Sequence, residues 1–362
     1  MKILFVSGNL CNGGAQRVIA VVASKLVQKG HDVHLLLFAR NEKEYPVDPA
    51  VQISALGANF AEYSELSAVQ RTWMIRKYVK KIKPQVAVGF LEGGYGLFLA
   101  TIGMKLKKVA SARIDPKILL KKKGPRAKLD SLWFRNADAV VVQTSRQKEH
   151  AKNAGWKNMT VIANPVSDAA LALNAHDYER PCRKIVMAGR LAEQKNYPMA
   201  LKAMQKVLEK YPDAQLEIFG KGNQEEKLNV LIRELGLENN VQLMGWTENT
   251  LGEYACSDLY VMTSNFEGMP NALMEAMAAG LPCVSTDCDT GPEDLIVHGE
   301  NGYLVSVNDD EALARQLIEI LGMSADERRR IGEQAKQTLT ERFHAEMIAE
   351  RWLSLFCMLI GG

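Results

Sequence analysis

Residues 2–38, KILFVSGNLCNGGAQRVIAVVASKLVQKGHDVHLLLF, decide the fold because their hydrophobic period changes twice. KILFVSG is a short apolar run, which predicts a buried strand. GGAQRVIAVVASKLVQKG then carries apolar residues at helical spacing as far as Gly30, and HDVHLLLF returns to a strand pattern. A strand, a helix and a second strand in this order predict a parallel βαβ unit.

The same alternation of strands and helices continues along the chain and restarts once. Four more strand patterns follow in the first half, at Pro84–Phe90, Lys108–Arg113, Ala137–Thr144 and Met159–Asn164. Six occur in the second half, at Lys184–Gly189, Gln215–Gly220, Val241–Gly245, Leu259–Ser264, Pro282–Thr286 and Gly302–Val305. These patterns predict an α/β protein with two facing, doubly wound Rossmann-like domains, whose strand ends meet at one cleft.

The polar, alanine-rich stretch after Asn164 sets the predicted domain boundaries. We expect a first domain at 1–165, a linker at 166–182 and a second domain at 183–344. A chain of 362 residues is too long for one ordinary core, and 47% apolar with 24% charged residues is typical of a soluble enzyme.

Composition also argues against several classes of protein. No run of about 18 apolar residues occurs, so we expect neither a membrane span nor export. The six cysteines form no CxxC pair and are interpreted as reduced cytosolic thiols. The six histidines form no convincing ligand cluster, so no metal is predicted.

The two halves of the chain carry opposite charge. Residues 1–175 contain 27 Lys and Arg against 12 Asp and Glu, whereas residues 176–362 contain 18 against 30. The basic runs Arg71–Lys83 and Lys117–Arg135 interleave cations with apolar residues, which fits either solvated helix faces or docking onto anionic lipid headgroups. Trp73 and Trp133 lie on helical patterns without any nucleic-acid motif, so no nucleic-acid partner is predicted.

Glycines follow the first strand. Gly13 and Gly14 open the first helix, where backbone amides can approach an anion, although a purely structural turn is the simpler interpretation. The order Gly8, Gly13, Gly14 does not match GxGxxG, which argues against a nicotinamide cofactor.

Charged residues follow two strands of the second half. In GRLAEQKN, Arg190 and Lys195 can clamp a diphosphate, unless both simply face solvent. Glu267 and Glu275 are separated by seven residues, the first in a turn and the second about one turn inside a helix that begins near Asn271. Carboxylates accept hydrogen bonds from sugar hydroxyls, and a helix N-terminus suits a phosphate. A nucleoside diphosphate sugar needs both a carboxylate for its hydroxyls and a site for its phosphates. A paired-acid hydrolase would leave the phosphate site without a purpose.

These motifs resemble those of the family 4 retaining glycosyltransferases, which have the two-domain GT-B fold. The resemblance rests on GRLAEQKN, IFGKGNQEEKL, SNFEGMPNALMEAMAAGLPCVSTD, GPEDLI and HGENGYLV, with GGAQR and VIANPV in the first half. It covers nearly the whole chain and is closest to bacterial enzymes that build capsule, exopolysaccharide or glycan repeat units on an undecaprenyl-diphosphate carrier. It also implies that a C-terminal helix, 345–362, crosses back onto the first domain.

The resemblance implies a role for each of these residues. Arg190 and Lys195 would bind the donor diphosphate, Glu275 the ribose and Glu267 the transferred sugar. Gly14 would let the first domain close over the donor diphosphate, and Gly13 is a further expected donor-binding residue. Sugar and phosphate would meet the backbone amides of a segment formed by Gly268, Met269, Pro270, Asn271, Ala272 and Leu273. The family uses no metal or other cofactor, favours UDP over GDP as the nucleotide, and retains the configuration of the sugar.

The first half departs from the family at SARIDP, where many members carry a His. Arg113 could stabilise developing charge there or bind the acceptor, but it could also simply pair with Asp115. Glu92 and Tyr95, in FLEGGYG, are candidate acceptor residues or turn formers. A further set is expected to contact lipid headgroups or the carrier diphosphate, namely Lys121, Lys122, Lys123 and Arg126.

The expected function is transfer of a hexose or N-acetylhexosamine from a nucleotide sugar to a lipid-linked glycan. The enzyme is expected to be cytoplasmic and peripheral on the inner face of the plasma membrane. A GT-B-like sugar-nucleotide epimerase that acts without an acceptor is the alternative. A nucleotide-sugar-binding regulator without catalysis is a third hypothesis.

Overall fold

The computed structural model describes residues 1–11, 13–90, 92–121, 125–173 and 177–361. The chain divides into two compact units. Unit 1 comprises Met1–Pro165 and Ala345–Gly362, and unit 2 comprises Val166–His344.

Unit 1 is built on a seven-stranded sheet in the order β3-β2-β1-β4-β5-β6-β7, and every neighbouring pair is parallel. Its strands are β1 Lys2–Ser7, β2 Asp32–Ala39, β3 Gln52–Gly57, β4 Val86–Phe90, β5 Lys107–Ser111, β6 Ala139–Val142 and β7 Met159–Val161. Its helices are α1 Gly14–Gln28, α2 Phe60–Glu65, α3 Ala68–Ile82, α4 Glu92–Ala100, α5 Pro116–Lys121, α6 Pro125–Asn136, α7 Ser145–Asn153 and, from the end of the chain, α16 Ala345–Gly361.

Unit 2 repeats this plan with a six-stranded parallel sheet in the order β10-β9-β8-β11-β12-β13. Its strands are β8 Lys184–Ala188, β9 Gln215–Phe219, β10 Val241–Gly245, β11 Leu259–Met262, β12 Cys283–Thr286 and β13 Tyr303–Val305. Its helices are α8 Asp168–Leu171, α9 Tyr197–Lys210, α10 Glu225–Glu234, α11 Thr250–Ala255, α12 Asn271–Ala278, α13 Pro292–Leu295, α14 Asp310–Leu321 and α15 Ala325–Phe343, with a 3₁₀ turn at Glu193–Lys195.

The strand order explains where ligands fit in each unit. In both sheets the order reverses beside the first strand, β1 in unit 1 and β8 in unit 2. Ligands of open parallel sheets bind at such a switch point, beyond the carboxyl ends of the strands. In unit 2 the switch point lies between β8 and β11, so we expect a ligand to bind beside the segments that follow these two strands.

The structure confirms the two doubly wound α/β sheets that the sequence predicted. Every predicted strand is present, with bounds that differ by a few residues at most. One strand was missed. β3 lies at the edge of its sheet and its residues are mostly half-buried, so QISALG lacks the continuous apolar run of a central strand.

The segment predicted as a linker packs with unit 2. Val166 donates its backbone N–H to the carbonyl of Phe343, and the Tyr178 hydroxyl donates to the carbonyl of Gly280. Ala170 is completely buried in α8. At the other end of the chain, α16 packs on α1 of unit 1.

Among the described residues, no helix combines the length and the apolar character that crossing a bilayer requires.

Candidate functional site

The switch point of unit 2 brings together two segments that are distant in sequence. One follows β8 and carries Arg190 and Lys195, and the other follows β11 and carries Glu267. Because β8 and β11 are neighbouring parallel strands, their carboxyl ends lie side by side. The sequence predicted both segments as ligand-binding, and the structure joins them.

Lys195 and Glu267 form the centre of this site. The Lys195 ammonium donates to Oε1 of Glu267 over 2.6 Å, and the Ser264 hydroxyl donates to the same oxygen over 2.7 Å. Glu267 is 8% exposed, so its carboxylate is held by two donors in a largely buried position. Oε2 of Glu267 forms no hydrogen bond with any residue that the structure describes, which leaves one carboxylate oxygen available to a ligand.

Hydrogen bonds fix the two segments to each other on both sides of this pair. Thr263 donates its hydroxyl to the carbonyl of Lys195 over 2.8 Å. The backbone N–H of Asn265 donates to the carbonyl of Gln194, and the Gln194 amide donates to the carbonyl of Phe266, both over 2.8 Å. The Lys195 and Glu267 side chains are therefore positioned by a rigid backbone frame.

Glycine allows the backbone to pack closely at two points of this edge. A Cβ on Gly220, just after β9, would lie 1.9 Å from the carbonyl oxygen of Gly189, just after β8. A Cβ on Gly291, which has a φ of +103°, would lie 2.9 Å from the carbonyl oxygen of Gly268. Both contacts involve backbone atoms, which cannot turn aside as a side chain can, so only glycine fits.

Tyr197 stabilises the turn after β8 through a hydrogen bond. Its hydroxyl donates to the carbonyl of Gly189 over 2.9 Å. Burial, together with the negative charge of Glu267, raises the pKa of this hydroxyl well above its ordinary value. Tyr197 therefore stays protonated and keeps its donor role at every physiological pH.

The helix α12 begins four residues after Glu267 and carries Glu275. The helix begins at Asn271 as predicted, and its Pro270 N-cap provides no side-chain hydrogen bond to the first turn. The amides of the first turn have no intrahelical partner by geometry. Glu275 is 6% exposed and, like Asn271 and Met269, already makes contacts within the protein.

The remaining residues of the predicted donor segment are also located. Gly268, Met269, Pro270 and Leu273 are buried, whereas Asn271 and Ala272 are partly exposed. The Arg190 side chain is exposed and forms no hydrogen bond or ion pair with any described residue, although the backbone carbonyl accepts the N–H of Ala192. The structure thus brings Lys195 to Glu267 but leaves Arg190 in solvent.

Arg113 of unit 1 is buried rather than presented at a surface. Its Nε donates to Ser111 over 2.7 Å and its Nη1 donates to Asn164 over 2.8 Å, while the guanidinium lies over the rings of Phe90 and Trp352. Burial lowers the pKa of Arg113 to about 9, and Nη2 is buried without a hydrogen-bond partner.

Asp115 does not pair with Arg113, so this alternative from the sequence is wrong. The Asp115 carboxylate contacts Nδ1 of His150 over 2.9 Å and accepts the backbone N–H of Lys117. His150 lies on α7, and both partners of the pair are buried. Sequence reasoning assigned no role to His150 because 34 residues separate it from Asp115 and no motif joins them.

The other predicted residues of unit 1 lie on helices. Gly13 is the extended N-cap of α1, which begins at Gly14. Tyr95 is partly buried on α4, and Glu92 is the first residue of that helix. Lys121 ends α5 and Arg126 lies in α6, whereas Lys122 and Lys123 lie outside the described residues.

Comparison with known protein families identifies both halves of the chain. Residues 12–170 match the family described as Glycosyltransferase Family 4, and residues 178–338 match the family described as Glycosyl transferases group 1. Together the two matches extend over nearly the whole chain.

Individual relatives agree with these matches. An exopolysaccharide phosphotransferase of Streptomyces coelicolor is 36% identical over 228 residues, which cover 62% of this chain but only 24% of that protein. The chain therefore spans about a quarter of that relative's length. An α-1,4-N-acetyl-D-galactosaminyltransferase of Campylobacter jejuni, named for an undecaprenol-linked glycan, is 27% identical over 98% of both chains.

A solved structure shows the shared fold. The Anabaena protein HepE in complex with UDP-glucose superimposes with a TM-score of 0.81 at 18% identity, over 99% of this chain and 100% of that one. The two proteins therefore share the GT-B fold.

Proposed function

This chain belongs to the glycosyltransferases that join a family 4 domain to a group 1 domain, and from that premise we propose the reaction it performs. The enzyme transfers a hexose or N-acetylhexosamine from a UDP-sugar to a hydroxyl of a lipid-linked glycan, in the synthesis of a surface polysaccharide. The names of the Streptomyces and Campylobacter relatives support this pathway.

One observation carries the proposal, namely the contact between Lys195 and Glu267 at the switch point of unit 2. A buried carboxylate with one unoccupied oxygen suits a sugar hydroxyl, and a lysine beside it suits a phosphate. An ammonium has three donors, and Glu267 takes one of them. The other N–H groups of Lys195 are the ones we assign to the donor diphosphate.

Other groups around this pair complete a donor site for a nucleoside diphosphate sugar. Arg190 is exposed two residues beyond β8, where its planar fork can reach phosphate oxygens. The backbone of Gly268–Leu273 and the first turn of α12 supply amides for sugar and phosphate. Glu275 holds the ribose hydroxyls. The complex of Anabaena HepE with UDP-glucose supports a UDP-sugar as the donor.

The proposed reaction retains the configuration at the anomeric carbon. The bond between that carbon and the β-phosphate oxygen breaks as the acceptor hydroxyl attacks on the same face. The acceptor proton passes to the departing phosphate, so the products are the glycosylated acceptor and UDP. Lys195 and Arg190 stabilise the negative charge that grows on the leaving diphosphate, as positioned cations do in other transferases.

The same residues make a metal unnecessary in the proposed reaction. In the proposed donor site, Arg190, Lys195 and the N-terminus of α12 take the electrostatic role that a divalent ion would otherwise perform. Turnover in excess EDTA should equal turnover in Mg²⁺, and a loss of activity on chelation would contradict this part of the proposal.

We assign binding of the acceptor to unit 1. The first half of the chain carries a net charge of +15 and the second half −12, so unit 1 is the one suited to a carrier diphosphate and an anionic membrane. We assign this contact to the basic segment around Lys121 and Arg126, which belongs to α5 and α6. Neutralising Lys121, Lys122, Lys123 and Arg126 should weaken transfer to a lipid-linked acceptor, and unchanged transfer would contradict this assignment.

The proposal is tested with purified protein and a panel of UDP- and GDP-sugars, alone and with synthetic prenyl-diphosphate glycans. Nucleotide release and the mass of the glycan are followed together. The proposal predicts a mass gain of one hexose or N-acetylhexosamine that requires a UDP-sugar and disappears in Glu267→Ala. Conversion of the nucleotide sugar without any acceptor would instead identify an epimerase.

A further inference from the structure

The outward side of α3 is both apolar and basic. At 100° per residue, Val69, Trp73, Lys77 and Lys80 fall within an arc of about 80° on this helix. All four are exposed, Val69 by 78% and Trp73 by 59%. The opposite side is buried in the core of unit 1 through Ile75, Val79 and Ile82.

A third apolar side chain lies next to this stripe. Arg76 donates through Nη1 to the carbonyls of Ala100 and Ile102, which holds the end of α4 against α3. Ile102 is 56% exposed. Because its carbonyl accepts from Arg76, Ile102 adjoins the side of α3 that carries Arg76, which is one helical turn from Trp73. Single exposed apolar residues are ordinary, but two on one face of a helix, with a third on the adjoining turn after α4, indicate an interaction surface.

The cations on α3 favour one kind of partner. The helix contains five Lys and Arg residues and no Asp or Glu. The Lys77 ammonium lies 5.1 Å from the centre of the Trp73 ring, so a positive charge lies next to the largest apolar side chain of this stripe. An anionic bilayer surface offers phosphates for the lysines and an apolar boundary for the tryptophan at the same depth.

We infer that this surface docks on an anionic lipid bilayer. It consists of Val69, Trp73, Lys77, Lys80, Lys81 and Ile102, and is called the α3 face. Val69, Trp73 and Ile102 enter the boundary between headgroups and acyl chains, while the three lysines contact lipid phosphates. The inference rests on the proposed function for its biological setting, since a lipid-linked acceptor requires an enzyme at the membrane.

The inference is tested by vesicle flotation of the full chain. The vesicles contain one part phosphatidylglycerol to three parts phosphatidylcholine, or phosphatidylcholine alone. The first variant combines Lys77→Gln, Lys80→Gln and Lys81→Gln. Its matched control combines Lys148→Gln, Lys152→Gln and Lys157→Gln, which removes the same charge from three exposed lysines elsewhere in unit 1. Trp73→Ser tests the apolar part.

The unaltered chain should float with the anionic vesicles and much less with the neutral ones. A lysine near an anionic surface contributes about 1 kcal/mol, so the triple variant on α3 should bind about 100-fold more weakly. Trp73→Ser should weaken binding about 10-fold, as loss of one buried apolar side chain does. The control variant should change binding less than about threefold, because general long-range attraction is screened by salt.

Equal binding by the unaltered chain and the α3 variant would overturn the inference, and so would an equal loss in the control variant. UDP affinity, measured by calorimetry without vesicles, tests the proposed donor site independently of membrane binding. The α3 variant should bind UDP as the unaltered chain does. If neither the unaltered chain nor any variant bound UDP, the proposed donor site would be contradicted. The flotation result would still test whether the α3 face binds the bilayer.

Discussion

At the scale of single residues, Glu267 shows how burial and hydrogen bonding divide one carboxylate into two functions. Oε1 is occupied by Lys195 and Ser264, which fix the orientation of the group. Oε2 is then aimed by a side chain that has little freedom left, so a sugar hydroxyl would meet a preorganised acceptor. The Arg190 side chain, in contrast, has no partner among the described residues, and we expect a bound diphosphate to order it.

Glu275 gives a prediction for nucleotide binding. Glu275→Gln keeps the shape of the side chain but removes the charge, which weakens its hydrogen bonds to ribose hydroxyls. UDP affinity measured by calorimetry should fall about 10-fold, the loss of one charge-assisted hydrogen bond. Glu217→Gln, on β9 and paired with Lys184, is the control and should leave the affinity unchanged. Equal affinities in all three proteins would exclude Glu275 from the nucleotide site.

Arg113 gives a prediction for stability. Arg113→Lys cannot reach both Ser111 and Asn164, and it leaves at least one of them without its donor. We expect the free energy of unfolding in urea to fall by about 1–3 kcal/mol. Arg135→Lys, at an exposed arginine, should change it by less than about 0.5 kcal/mol. Unchanged stability with lost turnover would instead place Arg113 in the chemistry.

At the scale of elements, glycines allow close backbone packing at the carboxyl ends of the strands in both units. In unit 1 the first turn of α4 packs on the end of β1, since a Cβ on Gly93 would lie 2.2 Å from the carbonyl oxygen of Val6. In unit 2 the turns after β8 and β9 meet in the same way at Gly189 and Gly220. Glycine at these places lets neighbouring strand ends and helix starts share one edge.

Gly93 and Gly96 on α4 form a matched pair for testing this packing. Gly93→Ala should destabilise the protein by about 1–3 kcal/mol, because the new methyl group meets backbone that cannot move. Gly96→Ala meets the Cδ1 atom of Ile75 at 3.2 Å, which can turn aside, and it reduces the entropy of the unfolded chain. It should be neutral or stabilising by up to about 1 kcal/mol. Urea unfolding measures both, and an equal loss in the two variants would contradict the described contact.

The sequence predicted the elements well where the burial pattern is strong. β1, β4 and β6 are buried at almost every position, and their apolar runs were recognised directly. β3 was missed because an edge strand needs little apolar character. The contact between Asp115 and His150 could not be predicted, since it depends on how α7 packs and not on any local pattern. In unit 2 the motifs located the Lys195 and Glu267 segments, but only the strand order brings the side chains together.

At the scale of the whole molecule, the two units share one plan but differ in charge and in continuity. Unit 2 is a single stretch of chain, whereas unit 1 is completed by α16 from the C-terminus. Trp352 of that helix is completely buried against Phe5 and Phe90. The end of the chain is thus part of the core of unit 1, and its removal would expose an aromatic cluster.

Thiol reactivity provides a test of both cores at once. Cys256 and Cys357 are exposed, whereas Cys11, Cys182, Cys283 and Cys288 are buried. Burial raises the pKa of Cys182 and of Cys288 to about 12, so almost no thiolate forms at neutral pH. Ellman's reagent should therefore titrate two thiols rapidly in the native protein and all six after denaturation. Rapid reaction of four or more native thiols would contradict the described packing.

The central claim is that Lys195 and Glu267 form the donor site of a glycosyltransferase, and a pair of lysines at opposite ends of β8 tests it most directly. Lys184 begins the strand and pairs with Glu217 over 2.9 Å, whereas Lys195 follows the strand and pairs with Glu267 over 2.6 Å. The measurement is kcat/KM for acceptor-dependent UDP release in Lys195→Ala and Lys184→Ala. The account predicts a loss of about 100- to 1000-fold for Lys195→Ala, as for other groups that stabilise transition-state charge, and a change of less than about threefold for Lys184→Ala. Equal kcat/KM values in the two variants would contradict it.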